Sequence, residues 1–207
     1  MKQALLTMLE LQHRMNTRVH EDWINQNFEW YRAAWIECGE LMDHYGYKWW
    51  KQQHPDMNQV RLEIIDIWHF GMSALFTPGA DVEAVADTIL EQLQGYQPSA
   101  ADVRAATEAL AEHCLASKSF SVAHFWDLMQ AADLDFQQLY TAYVGKNVLN
   151  FFRQDHGYKD GSYQKQWQGR EDNEHLVDLA AELDGEQPGY SDRLYAALEQ
   201  RYRECCP

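Results

Sequence analysis

Apolar residues recur three and four positions apart along most of the chain, which is the period of one face of an α-helix. The pattern predicts helices over about residues 4–18, 22–45, 58–76, 81–94, 99–117, 121–132, 135–154 and 190–204, with a further helix that begins at 171–173. Residues 157–170 are too rich in glycine and polar residues for regular structure. No stretch alternates convincingly as a strand would, so we predict an all-α helical bundle that forms a single domain over 1–207.

Composition supports a folded protein and narrows its partners. Of the 207 residues, 46% are hydrophobic and 13% are aromatic, which suffices for a substantial core. No segment approaches the ~18 consecutive apolar residues of a membrane span. Near the start of the chain, Glu10 and Gln12 stand where an export signal would stay apolar. The net charge of −15 argues against nucleic acid or an anionic membrane as a partner. The four cysteines have neither zinc-ligand nor disulfide-framework spacing, which favours a cytoplasmic protein.

Two pairs of carboxylates stand out on the second and third predicted helices. Glu37 and Glu40 are three residues apart, and so are Glu63 and Asp66, so each pair shares one helix face. A polar break that contains Pro55 lets the chain reverse, so the two faces can oppose each other. Four converging carboxylates would repel one another unless a cation lay between them, and oxygen ligands suit Mg²⁺ or Mn²⁺. The spacing therefore predicts a magnesium site, with two solvated helix faces as the alternative.

A histidine shares the second of these faces, because His69 follows Asp66 by three residues. A lone histidine is more often a packed, hydrogen-bonded residue than a ligand. A di-iron bundle would need Glu-x-x-His motifs on two helices. The sequence offers that motif once, at Glu10 and His13, which disfavours a di-iron protein.

Two features indicate an anionic, ring-containing ligand. Lys48 and Lys51 flank Trp49 and Trp50, which cannot both be buried on one helix face, so one ring is available for stacking. The stretch 144–170 carries five basic residues against two acidic ones in a chain of strongly negative charge. The basic residues are Lys146, Arg153, Lys159, Lys165 and Arg170. A loop of this composition can fold over phosphate groups, although an ordinary solvated loop is the alternative.

At the level of whole motifs the chain resembles the dimeric all-α dUTPase family, within the wider MazG-like superfamily of nucleoside triphosphate pyrophosphatases. The matching segments are LQHRMN at 11–16, ECGE at 37–40, KWWK at 48–51, EIIDIWHF at 63–70, KNVLNFFRQDHGYKDGSY at 146–163 and EDN at 171–173. The paired carboxylates alone are typical of the superfamily, whereas KWWK, the D-x-x-H-F segment and GYKDGSY are more specific. The resemblance implies a catalytic core at about 1–77 and 135–185, with the helices at about 80–132 completing the bundle or forming an interface.

The resemblance also implies roles for individual residues. Glu37, Glu40, Glu63 and Asp66 would be catalytic and would hold Mg²⁺, and Glu37 would orient or deprotonate the attacking water. The uracil and deoxyribose pocket would be lined by Gln12, Asn16, Trp50, His69, Phe70 and Asn173. The phosphate oxygens would be contacted by Lys48, Lys51, Lys146, Arg153, Tyr158, Lys159, Tyr163 and Lys165.

By the same resemblance, the chain would be a homodimeric hydrolase that converts dUTP and water to dUMP and pyrophosphate, with dUDP as a second substrate. A relative that acts on dCTP, or on both nucleotides, is the nearest alternative, because an asparagine can reverse its amide to accept from the amino group of cytosine. Two more distant classes share the same pattern of residues, namely a broader nucleoside triphosphate pyrophosphatase and a non-catalytic nucleotide-binding helical protein.

Overall fold

The structure is a computed structural model that describes residues 1–99, 101–183, 187 and 189–206, and within them the all-α prediction is confirmed. The helices are α1 (Lys2–Val19), α2 (Trp30–Tyr45), α3 (Met57–Leu75), α4 (Val82–Leu93), α5 (Val103–Ser117), α6 (Val122–Ala131), α7 (Phe136–Asp155), α8 (Asp172–Ala181) and α9 (Tyr190–Cys205). The chain divides into two compact units, Met1–Leu139 and Tyr140–Pro207. The single-domain organisation stays a prediction, and the core boundary expected at about residue 185 lies outside the described residues.

The start of α2 differs from the prediction of one helix over 22–45. A short 3₁₀ helix, Trp23–Gln26, comes first and ends at Asn27, whose φ of 51° is left-handed. A left-handed residue cannot continue an α-helix, so the chain turns there and α2 begins only at Trp30. Trp23 is buried and packs edge-on against Trp30, with ring centroids 5.8 Å apart. Tertiary packing of the aromatic rings therefore replaces the predicted first turns of the helix.

The first unit is organised around α3, which packs against α1, α2 and α6. The side chain of Asp56 caps this helix by accepting hydrogen bonds from the backbone N–H groups of Asn58 and Gln59. Apolar residues three and four apart form its buried face, where Trp68 stacks on Phe125 at 4.7 Å between ring centroids. Around this helix, α2 also packs against α5, α4 packs against α1 and α6, and α5 packs against α6.

Two further details of the first unit concern helix ends. The helix predicted over 99–117 begins at Val103, because Asp102 accepts a hydrogen bond from the backbone N–H of Ala105 and so caps α5. The KWWK segment lies in the connection between α2 and α3, as predicted.

The second unit contains α7 from Tyr140 onward, a two-stranded ribbon, α8 and α9. The strands β1 (Gln166–Trp167) and β2 (Arg170–Glu171) pair antiparallel, so the prediction that 157–170 lacks regular structure is wrong for its last part. The ribbon contributes Trp167, whose buried ring packs against Phe152 of α7 and Tyr202 of α9. A capping box between Glu171 and Glu174 then begins α8.

None of the described helices is long and apolar enough to cross a membrane. The four cysteines carry free thiols, and two of them, Cys38 and Cys114, are buried.

Candidate active site

Helices α2 and α3 bring three of the four predicted carboxylates together. One carboxylate oxygen from each of Glu37, Glu63 and Asp66 lies within 4.8 Å of the others. Glu63 is only 8% exposed, whereas Glu37 and Asp66 are half-buried. Glu40, nearly one turn beyond Glu37 on α2, is exposed and lies outside this group of three, which we call the carboxylate cluster.

The electrostatics of the carboxylate cluster favour a bound cation. The pKa of Glu37 is raised to about 8, first because burial disfavours its charged form and then because Asp66, Glu40 and Glu63 repel a further negative charge. A divalent cation among these oxygens would relieve that repulsion. Carboxylate oxygens at this separation are the ligands that Mg²⁺ and Mn²⁺ prefer, so the residues present fit such an ion.

One residue beside the cluster was not predicted. His44 lies on α2, and its Nε2 atom is 3.5 Å from Oε1 of Glu63. It follows Glu40 by four residues, so it lies on the same helix face. Extending the Glu37–Glu40 face by one more turn would have found it from the sequence.

A buried polar network joins α1 to α3 and contains three predicted pocket residues. His69 Nδ1 and Gln12 Oε1 are 2.8 Å apart, and Gln12 Nε2 donates to Asn16 Oδ1 and to Ser73 Oγ, each at 3.0 Å. The Nδ2 atom of Asn16 also donates to Ser73 Oγ, and that hydroxyl donates to the carbonyl oxygen of His69. Ser73, which was not predicted from the sequence, is therefore the hub of the network. It lies two turns beyond Asp66 on the same face of α3.

The predicted aromatic residues differ in exposure. Phe70 is half-buried and stacks on Trp30, with ring centroids 6.3 Å apart. Trp49 and Trp50 are 90% and 61% exposed, so both rings are accessible, whereas the sequence predicted that at least one would be.

The two lysines that flank these rings are also at the surface. Lys48 Nζ is 3.9 Å from a carboxylate oxygen of Asp43, and the side chain of Lys51 is exposed.

In the second unit, Arg153 and Tyr163 converge on the buried Asp172, a residue of the EDN segment for which the sequence predicted no role. The Nε and Nη2 atoms of Arg153 donate to the two carboxylate oxygens of Asp172, each at 2.8 Å. The hydroxyl of Tyr163 donates to Oδ2 of Asp172, also at 2.8 Å. Asp172 is fully buried, so these two predicted phosphate contacts make a charged hydrogen-bond network within the protein.

Of the other predicted residues of this unit, one is buried and the rest lie at or near the surface. Lys146 is 5% exposed, and its Nζ atom donates to Oδ1 of Asn173 at 3.1 Å. Tyr158 and Lys159 are exposed, and the guanidinium of Arg153 lies 5.9 Å from the centre of the Tyr158 ring. Lys165 Nζ lies 3.5 Å from a carboxylate oxygen of Glu171 at the surface.

In this all-α protein, two facing helices bring carboxylates together, and a buried network of side-chain amides lies farther along one of them. This combination is typical of a helical nucleotide hydrolase. A family model described as dUTPase matches residues 4–158, well over half of the chain, and the chain belongs to this all-α dUTPase family. Its members are hydrolases that act on dUTP, which makes the protein a nucleoside triphosphate diphosphatase. The match includes the carboxylate cluster and the network around Ser73 but ends before Tyr163 and Asn173. A search of curated proteins found no match.

Proposed function

We propose that this protein is a Mg²⁺-dependent dUTP diphosphatase, which converts dUTP and water to dUMP and pyrophosphate and also accepts dUDP. The convergence of Glu37, Glu63 and Asp66 on facing helices, in a chain of the dUTPase family, carries the proposal. Mn²⁺ has the same preference for oxygen ligands and would replace Mg²⁺. We also propose a homodimer, and the four free thiols are consistent with a cytoplasmic enzyme.

The chemistry requires charge neutralisation and a positioned water more than covalent help from the protein. Glu37, Glu63 and Asp66, with Glu40 at their edge, would hold the ion. When bound, Mg²⁺ neutralises phosphate charge and increases the acidity of the attacking water. Glu37 would orient that water or accept its proton, because its carboxylate lies beside the oxygens of Glu63 and Asp66 that would hold the ion.

Base recognition is proposed for Gln12, Asn16, Trp50, His69, Phe70 and Asn173. The hydrogen bonds around Ser73 fix the amides of Gln12 and Asn16, which supports a preorganised polar wall. The exposed ring of Trp50 is available to stack on a base. Close packing at position 5 of uracil would exclude thymine through a steric clash.

Phosphate contact is proposed for Lys48, Lys51, Arg153, Tyr158, Lys159, Tyr163 and Lys165. The resemblance implies the same role for Lys146, whose buried ammonium group donates to Asn173. The exposed ammonium groups of Lys51 and Lys159 are able to move toward an anion. Arg153 and Tyr163 are already held by Asp172, so their positions are fixed before a ligand arrives.

The experiment that tests the proposal measures pyrophosphate release from dUTP, dCTP, dTTP and UTP, and phosphate release from dUDP, with Mg²⁺ and with EDTA. We expect strong preference for dUTP and complete loss of activity in EDTA. Glu63→Gln should abolish turnover, whereas Glu108→Gln, which neutralises an exposed carboxylate on α5, should not. Equal use of dCTP would move the protein to the alternative substrate class. Nucleotide binding without hydrolysis, in a folded sample, would leave only a binding function.

A further inference from the structure

The side-chain amide of Asn173 has a defined orientation, which the sequence left open. Its Oδ1 atom accepts from Lys146 Nζ at 3.1 Å and from Arg153 Nη2 at 3.4 Å. Its Nδ2 atom makes no hydrogen bond with the described part of the chain. Asn173 is half-buried, so one side of the amide faces two cations and the other is available to a ligand.

The charges of the two partners fix this orientation. A reversed amide would place its NH₂ group against an ammonium and a guanidinium group, neither of which has an acceptor to offer. Each donor would then lose one of its hydrogen-bond acceptors, at a site where Lys146 is 5% exposed. The orientation observed is therefore much more stable than the reversed one.

The guanidinium of Arg153 is itself held in place by residues other than Asn173. Arg153 is bound at both carboxylate oxygens of Asp172, which is fully buried. A further Arg153 nitrogen donates to Oδ1 of Asn150 at 3.2 Å. Because the guanidinium is planar and is bound on several sides, it cannot turn away from Asn173 without breaking charged hydrogen bonds.

We propose that Lys146 and the Arg153–Asp172 pair are positioning residues that fix the Asn173 amide with only its N–H groups toward the ligand. In this orientation the Asn173 amide donates to a carbonyl oxygen, such as O4 of uracil. It offers no acceptor to an amino group, such as the one at position 4 of cytosine. The inference rests on the proposed function, in which Asn173 faces the base. It assigns Lys146 to base selection rather than to phosphate contact.

The test uses the full-length protein with Lys146→Met, which keeps a long side chain but removes the nearer of the two charges that hold the amide. The ratio of kcat/KM for dUTP to that for dCTP should fall by about tenfold to a hundredfold, because only the longer hydrogen bond from Arg153 then opposes reversal of the amide. Calorimetric binding of dUMP and dCMP, which requires no catalysis, should show the same loss of preference. Binding of pyrophosphate with Mg²⁺ should be unchanged, since Lys146 does not contact phosphate under this proposal.

Two control variants separate this effect from a general loss of positive charge and from a failure to fold. Arg203→Met removes an exposed positive charge from α9 of the same unit and should leave both ratios unchanged. Lys146→Gln supplies a carbonyl group that can accept from the amide, so it should favour dCMP further, and it serves if the methionine variant does not fold.

Three further outcomes would each decide the question. Weaker binding of all ligands, pyrophosphate included, with an unchanged base preference would overturn the inference and return Lys146 to phosphate contact. A wild-type protein that binds dUMP and dCMP equally would also overturn it. Loss of dUMP preference in Lys146→Met, in a protein that hydrolyses no nucleotide, would uphold the inference while removing the proposed catalytic function.

Discussion

Raising the pH should destabilise the metal-free protein through Glu37, and a divalent cation should reverse that loss. The ordinary pKa of this carboxyl group is 4.5, and in the folded protein it is about 8. Between these values the folded state keeps a proton that the unfolded state has released. The stabilising contribution is therefore fully present below pH 4.5 and is lost as the pH rises through 8.

The size of the effect follows from the difference between the two pKa values. Each pKa unit corresponds to about 1.4 kcal/mol, so the full difference sets an upper limit of about 5 kcal/mol. Glu37 is half-buried, and solvent screening at such a site reduces the expected loss in unfolding free energy to roughly 1–2 kcal/mol.

Urea unfolding followed by circular dichroism, at about pH 5.5 and about pH 8.5 without metal, would measure this loss. Glu37→Gln cannot ionise at this position, so it should lose about 1–2 kcal/mol less than the wild type over the same interval. At the higher pH, Mg²⁺ should stabilise the wild type more than Glu37→Gln, because the full carboxylate cluster binds the ion better. Parallel loss of stability in the two proteins would refute the reasoning, and so would equal stabilisation by Mg²⁺.

Two further predictions concern α3. A Cβ atom added at Gly71 would lie 2.3 Å from the ring of the buried Phe120, so Gly71→Ala should lower the unfolding free energy by about 1–3 kcal/mol. The same urea experiment with Gly39→Ala, where no atom lies within 4 Å of the added Cβ, should instead show a gain of up to about 1 kcal/mol; equal effects at the two glycines would contradict the packing argument. Ser73→Ala removes the acceptor of two buried amide N–H groups and should cost about 1–3 kcal/mol, with a raised KM for dUTP. A variant with unchanged stability and KM would show that the hydroxyl is not the hub of the network.

The carboxylate cluster could be predicted because helix geometry determines which residues share a face. Glu63 and Asp66 had to project together once α3 was recognised, and the polar break that contains Pro55 allowed the chain to reverse so that α2 opposes α3. The exposure of Glu40 could not be predicted, since it depends on the rotation of α2 about its axis relative to α3. That rotation is set by the packing of both helices, which residue spacing within one helix does not contain.

The environment of Arg153 shows a different limit. Its charge and its glycine-rich neighbourhood predicted an anionic ligand, and the structure adds a second anionic partner, the carboxylate of Asp172. The two residues are 19 positions apart and are separated by a loop and a short ribbon. A charge pattern indicates what kind of partner a side chain needs, whereas the path of the intervening loop decides whether the protein also provides such a partner. The break at Asn27 was missed for a related reason, because aromatic packing overrode local helix propensity.

The order of polar residues along α3 indicates how a nucleotide would be oriented along this helix in the proposed complex. Glu63 and Asp66 belong to the carboxylate cluster, and His69 and Ser73 belong to the buried amide network farther along the same helix. Ten residues at about 1.5 Å each separate Glu63 from Ser73 by roughly 15 Å, which is on the order of the length of an extended nucleoside triphosphate. A nucleotide lying along α3 with its phosphates at the cluster would therefore place its base near the amide network. One rigid helix would then determine both the position of the scissile phosphate and the base that can be accepted, so a substitution that rotates α3 should impair turnover and selectivity together.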